Sequence, residues 1–391
     1  MKDIILFSVS AVSAIIWLVF FFMPVRWRMS GQWEASDCLH TTISQWPSLS
    51  VIVPARNEVK SLPLTVPSWL DQNYPKAEII LIDDESSDGT AECAKGISAQ
   101  AGRSMKVISG TPPPDGWTGK LWALEQGVRA SSGEWLLFTD ADIRHGTNLW
   151  RGLVAKALTE QRAMVSLMAL LDTHGLWARL LIPAFVYFFH GLYPFEMVGN
   201  LRAKISAAAG GCILVSRQAL DKVGGIAGYS NAWIDDIALA RKIKSSGMSI
   251  SLSLTKSVVS VRPYRRLQDI WNMVARNAFS HLRYSWLTLV GTVIGLIILF
   301  IVPVIGVCTF MDETALRVTI MFSSLTIFIM GLTYVPTLRF FSLSAWRACT
   351  LPIAGAFYLA MTVSSAINYL SGRCEWRGSR SKAVPSTERA R

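Results

Sequence analysis

The chain has 391 residues and a formal net charge of +11; 51% of its residues are hydrophobic and only 17% are charged. This composition excludes an ordinary soluble protein, although the length suffices for one sizeable soluble core plus additional elements. The six cysteines are scattered without paired spacing, which argues against a zinc site or a disulfide framework. No basic helix with interleaved aromatic residues stands out, so the positive charge favours anionic lipid and a nucleotide ligand over nucleic acid.

The surplus of apolar residues is concentrated in a few segments, beginning at the amino end. Residues 4–23 contain no ionisable side chain and match the length of a bilayer-spanning helix. We interpret residues 1–24 as a transmembrane anchor, because the segment is long for the apolar part of a signal peptide and no small-residue cleavage site follows it. Residues 287–371 form a second apolar region, and its segments of near-spanning length are residues 287–308, 318–335 and 348–370.

The arginines that flank these segments predict the orientation of the chain. They follow the first apolar segment and precede the second, which places residues 24–286 in the cytoplasm. A fourth complete span would put the basic, polar tail of residues 372–391 outside, against the same rule. Residues 348–370 are therefore re-entrant or interfacial, or the tail departs from the rule; both alternatives stay open.

Between the apolar regions, apolar runs of strand length alternate with helical patterns. Strands are predicted at residues 49–54, 77–82, 105–109 and 135–139, and helices at residues 62–70, 90–99 and 120–130. This alternation predicts an α/β fold with a mostly parallel sheet and right-handed crossovers. The first, second and fourth strands all end in polar residues. Because the carboxyl ends of parallel strands share one edge, we expect a ligand site there.

Two carboxylates follow the strand of residues 135–139 at a spacing of i, i+2. If the chain is extended there, Asp140 and Asp142 point to the same side of the sheet. Such a pair can hold a hard divalent cation, which in turn neutralises a diphosphate. The alternative is a strand that ends in an acidic turn without a ligand.

Asp84 and Lys120 point to a nucleotide. Asp84 follows the strand of residues 77–82, where an acidic side chain can accept hydrogen bonds from a ribose or a base; alternatively this segment is only a turn before a helix. Lys120 stands at a predicted helix start, where lysine and free N–H groups can contact a phosphate, although most such lysines are simply solvated. The sequence has neither a dinucleotide-binding glycine motif nor a P-loop.

A second acidic pair, Asp235 and Asp236, opens a predicted amphipathic helix. The helix dipole favours acidic residues at this position, which is one explanation of the pair. Because glycine-rich turns precede it, one carboxylate is alternatively a general base. Gly210 and Gly211 would allow close approach of the backbone to a ligand, and Arg217 follows the strand after them.

Two further segments are predicted to lie at the membrane surface. Residues 176–198 are rich in aliphatic and aromatic residues but contain two prolines and three ionisable side chains, which favours an interfacial helix; a core helix is the alternative. Residues 263–286 form a basic amphipathic stretch directly before the second apolar region.

Five blocks, taken in their order over residues 49–286, resemble the family 2 glycosyltransferases, which have a GT-A nucleotide-sugar-binding fold. The blocks are residues 51–58 (VIVPARNE), 82–90 (IDDESSDGT), 139–142 (TDAD), 210–217 (GGCILVSR) and 235–236 (DD). Residues 118–123 (TGKLWA), the stretch RNAFSHLRY from residue 276 and the membrane layout are similar to a narrower group, the hopene-associated (HpnB-type) glycosyltransferases of bacteria. This closer resemblance covers nearly the full length.

The resemblance implies a role for each matching residue. Those that would bind the nucleotide-sugar donor are Pro54, Arg56, Glu58, Asp84 and Asp140. Lys120 is a further donor-binding candidate, because it stands at a predicted helix start. A divalent metal (Mg²⁺ or Mn²⁺) would be held by Asp142 and Asp140. Asp236 matches the general base, with Asp235 where the family often has glutamate.

On the acceptor side, the candidates are Gly210, Gly211 and Arg276. Processive polysaccharide synthases of the family carry Gln-x-x-Arg-Trp near the position of Arg276. Here Asn277 follows this arginine, so a single transfer is favoured over chain synthesis.

Together these observations predict a bacterial inner-membrane enzyme whose catalytic domain, residues 45–262, lies in the cytoplasm. It would transfer a sugar with inversion from a nucleotide-diphosphate sugar, expected to be UDP-linked, to a lipid; a hopanoid acceptor is suggested by the resemblance alone. The alternatives are a glycan chain synthase of the same family and a non-catalytic donor-binding membrane scaffold. The hypothesis requires that Asp84, Asp142 and Asp236 converge on one site.

Overall fold

The computed structural model describes residues 2–38, 41, 43–309, 314–371, 375–376 and 379–380, which form two compact units. The sheet unit consists of Ser30–Asp172 and Phe195–Pro263. The helical unit consists of Met1–Met29, Thr173–Pro194 and Tyr264–Arg391. Residues 173–194, which we expected within the domain of residues 45–262, therefore belong to the helical unit. The predicted tail of residues 372–391 lies largely outside the described residues.

The sheet unit contains an eight-stranded sheet. Its strands are β1 (Leu49–Ala55), β2 (Ala77–Asp83), β3 (Lys106–Ser109), β4 (Trp135–Thr139), β5 (Ile143–His145), β6 (Met164–Leu170), β7 (Cys212–Ser216) and β8 (Ile250–Ser260). Their order is β3-β2-β1-β4-β7-β6-β8-β5. Two short strands near the carboxyl end, β9 (Glu375–Trp376) and β10 (Ser379–Arg380), pair with each other.

Strand direction explains how the site is assembled. From β3 to β4 all pairs are parallel, as predicted, so the carboxyl ends of β1, β2 and β4 share one edge. β7 is antiparallel to β4 and pairs Cys212 with Thr139. The amino end of β7, and the glycine turn before it, therefore reach the same edge. β6 and β8 are parallel to each other, whereas β5 is antiparallel to β8.

The helices occur mostly where the sequence pattern predicts them. In chain order they are α1 (Lys2–Phe21), α2 (Leu62–Leu70), α3 (Thr90–Gln100), α4 (Gly119–Arg129), α5 (Leu149–Thr159), α6 (Leu176–Leu192), α7 (Phe195–Gly199), α8 (Arg217–Lys222), α9 (Asp235–Ser245), α10 (Leu267–His281), α11 (Trp286–Leu296), α12 (Val302–Cys308), α13 (Thr314–Phe340) and α14 (Leu351–Leu370). Thr118 caps α4, because its hydroxyl accepts a hydrogen bond from the Leu121 N–H at 3.4 Å. This cap places Lys120 in the first turn of α4.

The core of the sheet unit lies between the sheet and its helices. Val51 and Val53 of β1 and Leu81 of β2 are completely buried, and Leu62 and Trp69 of α2 belong to the same apolar cluster. Burial of each such side chain stabilises the fold by about 1.5–3 kcal/mol. This packing holds the edge that carries the polar residues.

Among its described residues, the helical unit contains three helical segments that are long and apolar enough to cross a membrane. They are Trp286–Cys308, Arg317–Phe340 and Ala345–Leu370. The first of these includes a π-helical segment, Ile297–Ile301, between α11 and α12. α1 is a further apolar helix, but its apolar part, Ile5–Phe21, is shorter than these segments, so the membrane anchor stays a prediction. The side on which each helix end lies stays a prediction.

A tryptophan ties α1 to the segment around the π-helical turn. Pro303 has no N–H, so it cannot donate to the carbonyl of Leu299 one turn earlier. The indole N–H of Trp17 donates to that carbonyl at 3.1 Å. In an apolar environment an unmade backbone hydrogen bond is costly, so Trp17 stabilises the proline-containing segment.

α6 differs from our expectation of an interfacial helix. Its side chains Ala178, Leu181, Ile182, Pro183, Ala184, Val186, Tyr187 and His190 are buried. The Tyr187 hydroxyl lies 2.8 Å from that of Thr333, and the Tyr358 hydroxyl donates to the Leu181 carbonyl at 2.9 Å. α6 is thus a core helix of the helical unit, which was the alternative. The segment also ends earlier than predicted, because Pro194 separates α6 from α7.

Candidate active site

A cleft opens at the edge where the carboxyl ends of β1 and β4 meet the turn before β7. It is lined by Pro54, Lys120, Leu124, Phe138, Thr139, Asp140, Gly210, Ile213, Tyr229, Asp235, Asp236 and Leu239. Six of the predicted site residues therefore share this cleft: Pro54, Lys120, Asp140, Gly210, Asp235 and Asp236.

Lys120 bridges two carboxylates inside the cleft. Its Nζ lies 3.0 Å from Asp140 Oδ1 and 3.1 Å from Asp235 Oδ2. Burial acts to lower the pKa of Lys120, but the charges of Asp140, Asp235 and Asp236 outweigh burial and raise this pKa well above its usual value. The predicted phosphate contact of Lys120 stays a prediction; without a ligand, its partners are acidic.

Asp235 and Asp236 occupy the first turn of α9, and their environments differ. Asp236 Oδ1 accepts a hydrogen bond from the N–H of Ile237 at 2.7 Å. Burial, followed by the charge of Asp235, raises the pKa of Asp236 from 3.8 to about 7, although Lys120 acts in the opposite direction. A carboxylate that titrates near neutrality can act as a general base.

Gly210 leaves room for the side chains of Asp236 and Lys120. A Cβ atom built on Gly210 would lie 3.3 Å from Asp236 Oδ2 and 3.5 Å from Lys120 Nζ. A side chain at this position would therefore press on the Asp236 carboxylate, beside the Lys120 ammonium group. Gly211 contributes its carbonyl, which accepts hydrogen bonds from the Thr139 hydroxyl at 3.0 Å and from the Asp140 N–H at 3.3 Å.

Asp140 and Asp142 lie on a tight turn, not on an extended strand. β4 ends at Thr139, and the N–H of Ile143 donates to the Asp140 carbonyl at 3.1 Å. Strand alternation was therefore the wrong reason to expect both carboxylates on one side. Asp140 pairs with Lys120, whereas Asp142 Oδ2 lies 3.6 Å from Arg262 Nε.

Arg262 is a site residue that sequence reasoning missed. It follows β8, and its Nη2 lies 3.9 Å from Glu58 Oε1 while its Nε faces Asp142. Arg262 thus links the loop after β1 with the acidic turn after β4. A basic residue directly after a buried strand was the available signal, but β8 itself was not predicted.

Asp84 lies beside Arg56 under the loop after β1. The Arg56 Nη1 to Asp84 Oδ2 distance is 3.5 Å, and the Asp84 side chain is only 2% exposed. Burial raises the pKa of Asp84, and Arg56 partly offsets this shift. Within the described part of the chain, Asp84 Oδ1 is buried without a hydrogen-bond partner. Such an acceptor suits an N–H or O–H group of a ligand.

The remaining predicted residues have other surroundings. Glu58 is 6% exposed, and its Oε2 accepts a hydrogen bond from the Ser61 hydroxyl at 2.7 Å. Arg217 donates to the Gly133 carbonyl at 2.7 Å, away from the cleft lining, so its contacts are structural. Arg276 lies on α10 in the helical unit. Asp84 and Asp142 do not line the cleft. Asp142 comes two residues after Asp140, which does line it. The Asp84 N–H donates to the carbonyl of Ala55, and Ala55 directly follows the lining residue Pro54.

The acidic turn has the chemistry that a divalent cation needs. Asp140 and Asp142 offer carboxylate oxygens, the ligands that Mg²⁺ and Mn²⁺ prefer. Among the described residues, no cluster of three or more His, Cys, Asp or Glu side chains is arranged to hold a metal alone. Two carboxylates nevertheless fit a cation whose other ligands are substrate phosphates and water.

Comparison with known proteins identifies the class of the sheet unit. Residues 50–224 match the family model described as glycosyl transferase family 2. The matched range includes the strands β1 to β7, with Asp84, Asp140 and Asp142, but it ends before Asp236. This part of the sheet unit is therefore similar to the domain of family 2 glycosyltransferases.

Relatives with similar sequences are glycosyltransferases as well. The chain is 41% identical over 98 residues to 4,4'-diaponeurosporenoate glycosyltransferase of Staphylococcus haemolyticus, covering 25% of this chain and 24% of that protein. It is 30% identical over 138 residues to the probable glycosyltransferase YdaM of Bacillus subtilis, covering 33% and 32%. The chain thus matches only about a quarter to a third of the length of these curated relatives.

A solved structure is similar over most of the chain. The mannosyltransferase PcManGT from Pyrobaculum calidifontis, in complex with GDP-Man and Mn²⁺, superposes with a TM-score of 0.51 at 17% identity. The match covers 92% of this chain and 99% of that chain. At this identity the likeness shows the fold. The predicted GT-A-like α/β architecture with additional apolar helices is confirmed.

Proposed function

We propose that this protein is a membrane-bound inverting glycosyltransferase that moves a sugar from a nucleotide-diphosphate sugar to a lipid acceptor at the cytoplasmic face of the bacterial inner membrane. The observation that carries the proposal is the cluster of Lys120, Asp140, Asp235 and Asp236 in one cleft of a family 2 glycosyltransferase domain. The Lys120 ammonium group lies between the carboxylates of Asp140 and Asp235. The cleft therefore offers both a positive charge for the diphosphate of the donor and a carboxylate that can accept a proton.

The donor nucleotide would occupy the loop after β1. Asp84 supports this assignment, because its buried Oδ1 lacks a donor within the described residues and a base or ribose could supply one. Arg56 lies beside it and Pro54 lines the neighbouring cleft. We propose a UDP-linked donor, as the family resemblance implies; PcManGT was solved with GDP-Man, so GDP is the comparison to test.

Asp140 and Asp142 would hold a divalent cation, Mg²⁺ or Mn²⁺. When bound, the cation supplies electrostatic stabilisation of the charge on the leaving diphosphate. Lys120 and Arg262 each already face one of these carboxylates. Both basic side chains are therefore placed to neutralise the phosphate charge that the donor brings.

Asp236 would act as the general base. Its carboxylate takes the proton of the acceptor hydroxyl as that oxygen bonds to the anomeric carbon, and the bond from this carbon to the diphosphate oxygen breaks. The nucleoside diphosphate leaves with the bonding electrons. One displacement inverts the anomeric configuration. Gly210 lies against the Asp236 carboxylate, and Lys120 Nζ contacts the neighbouring Asp235. Both residues therefore position Asp236.

The acceptor is proposed to be a lipid, with a hopanoid as the first candidate. The three helical segments of spanning length and the apolar α1 support a substrate taken from the bilayer. Lipid profiling of cells with and without the gene should reveal one glycolipid that disappears. A polymeric product in a reconstituted assay would instead support the chain synthase alternative.

The decisive experiment compares purified full-length variants. Asp236→Asn and Asp142→Asn should abolish sugar transfer in the presence of Mn²⁺, with unchanged thermal unfolding. Asp221→Asn, which removes an exposed carboxylate on α8, is the matched control and should retain activity. Full activity of either active-site variant would refute the assignment, and nucleotide-sugar turnover by the wild type excludes a non-catalytic scaffold.

A further inference from the structure

A hydrogen bond between two side chains closes the acidic turn. Thr139 immediately precedes Asp140, and His145 comes three residues after Asp142. The Thr139 hydroxyl lies 3.0 Å from His145 Nε2. This contact joins the two ends of the segment that carries both carboxylates. His145 is only 4% exposed and lies outside the lining of the cleft.

The neighbours of His145 define its tautomer. The indole N–H of Trp150 donates to His145 Nδ1 at 2.9 Å, so Nδ1 must be the unprotonated, accepting nitrogen. The proton of a neutral ring is then on Nε2 and is donated to the Thr139 oxygen. The Thr139 hydroxyl in turn donates to the Gly211 carbonyl at 3.0 Å. The chain of donors therefore runs in one direction, from α5 through the acidic turn to the glycine turn.

Helix α2 holds the backbone of the same turn from the other side. The Thr65 hydroxyl donates to the Ala141 carbonyl at 2.9 Å, and the Trp69 indole donates to the Ile143 carbonyl at 2.9 Å. The Ser68 hydroxyl accepts from the His145 N–H at 3.0 Å. Residues spaced by three and four share one face of a helix, so one face of α2 binds alternate residues of the turn.

We propose that His145 is a positioning residue that, as the neutral Nε2–H tautomer, fixes the acidic turn through Thr139 so that Asp140 and Asp142 are held ready for a divalent cation and the diphosphate it accompanies. This inference rests on the proposed function. His145 touches neither substrate nor metal; it acts through the Thr139 hydroxyl and the backbone of the turn. Residues behind metal ligands commonly have this effect on metal affinity.

A purely structural histidine would fill space in the core without this directional role. Two substitutions separate the possibilities. In His145→Gln, the amide N–H₂ replaces the Nε2–H donor, so the bond to Thr139 can persist. In His145→Asn, the shorter amide replaces the Nδ1 side of the ring, so the contact with Trp150 can persist while Thr139 loses its donor. Both variants lose ring volume, and Asn is one methylene smaller than Gln.

The test uses the full-length protein in detergent. Mn²⁺ affinity is measured by electron paramagnetic resonance in the presence of UDP, and hydrogen exchange is followed in peptides that cover residues 139–146. We expect His145→Asn to bind Mn²⁺ about 10- to 100-fold more weakly and to exchange faster in this segment, while His145→Gln stays close to the wild type. Equal losses in both variants, or wild-type affinity in His145→Asn, would overturn the proposal.

A second pair of variants approaches the contact from Thr139. Thr139→Ser keeps the hydroxyl and should retain most of the Mn²⁺ affinity, whereas the isosteric Thr139→Val should match His145→Asn. Equal behaviour of the serine and valine variants would contradict the inference. Wild-type protein that binds Mn²⁺ but transfers no sugar would refute the proposed function, and the variants would still decide the role of His145. Wild-type protein that binds no Mn²⁺ would overturn both.

Discussion

The raised pKa of Asp236 predicts how activity depends on pH. A general base works only when it is deprotonated, and the pH profile of kcat/KM reports the free enzyme. With a pKa of about 7 for Asp236, kcat/KM should be low in acid and should rise as pH increases through neutrality. The ionised fraction, and with it kcat/KM, should increase about tenfold between about pH 6 and pH 8.

Two substitutions should move this profile in opposite directions. The charge of Asp235 raises the pKa of Asp236, so Asp235→Asn should shift the midpoint to lower pH. The charge of Lys120 lowers the same pKa, so Lys120→Met should shift the midpoint to higher pH. Each shift should amount to about one pKa unit, as expected for the loss of one nearby charge.

The assay is release of the nucleoside diphosphate at subsaturating donor, with the metal held at a fixed free concentration. Because both substitutions also alter the donor site, the position of the midpoint is compared and not the height of the profile. A flat profile between pH 6 and pH 8 in the wild type, or shifts of the same sign in the two variants, would refute the role given to Asp236.

Three further predictions concern individual contacts. Gly210→Ala places a Cβ 3.3 Å from Asp236 Oδ2, so kcat should fall about tenfold while the melting temperature changes little; an unchanged kcat would contradict this contact. Asp84→Asn alters the buried acceptor near the donor loop and should weaken UDP binding about tenfold in calorimetry, with wild-type affinity as the contrary result. Gly127→Ala would overlap the side chain of Ile52, so unfolding should cost about 1–3 kcal/mol less, and an unchanged thermal transition would count against this packing.

The parallel half of the sheet was predictable because its signals are local. Each strand from β1 to β4 is a short apolar run followed by polar or turn residues, and Thr118 provides a visible cap for α4. In the other half of the sheet, which consists of β5 to β8, only β7 was predicted. The strands β6 and β8 were missed; β8 combines apolar with many serine and threonine residues, and its pairing with β6 is set by long-range contacts.

The site was predictable where a residue type alone indicates chemistry. Asp84, Asp140, Asp142 and the pair at the start of α9 could be chosen because carboxylates in these positions can bind a ribose, hold a cation or act as a base. Their partners could not be chosen in this way. Arg262 is more than a hundred residues from Asp142 in the chain, and only the closing of the sheet by β8 brings them to 3.6 Å. His145 carries no sequence signal at all, since its role comes from three hydrogen-bonded neighbours.

The interleaving of the two units has a consequence for biogenesis. Helix α6 leaves the ribosome between two halves of the sheet unit, yet its partners Thr333 and Tyr358 are synthesised 146 residues after Tyr187 and 177 residues after Leu181. At about 5–20 residues per second, this apolar helix waits on the order of ten to thirty seconds for them. During that interval the apolar side chains of α6 lack these partners. The packing of α6 in the helical unit can therefore be completed only after the carboxyl-terminal helices have been synthesised.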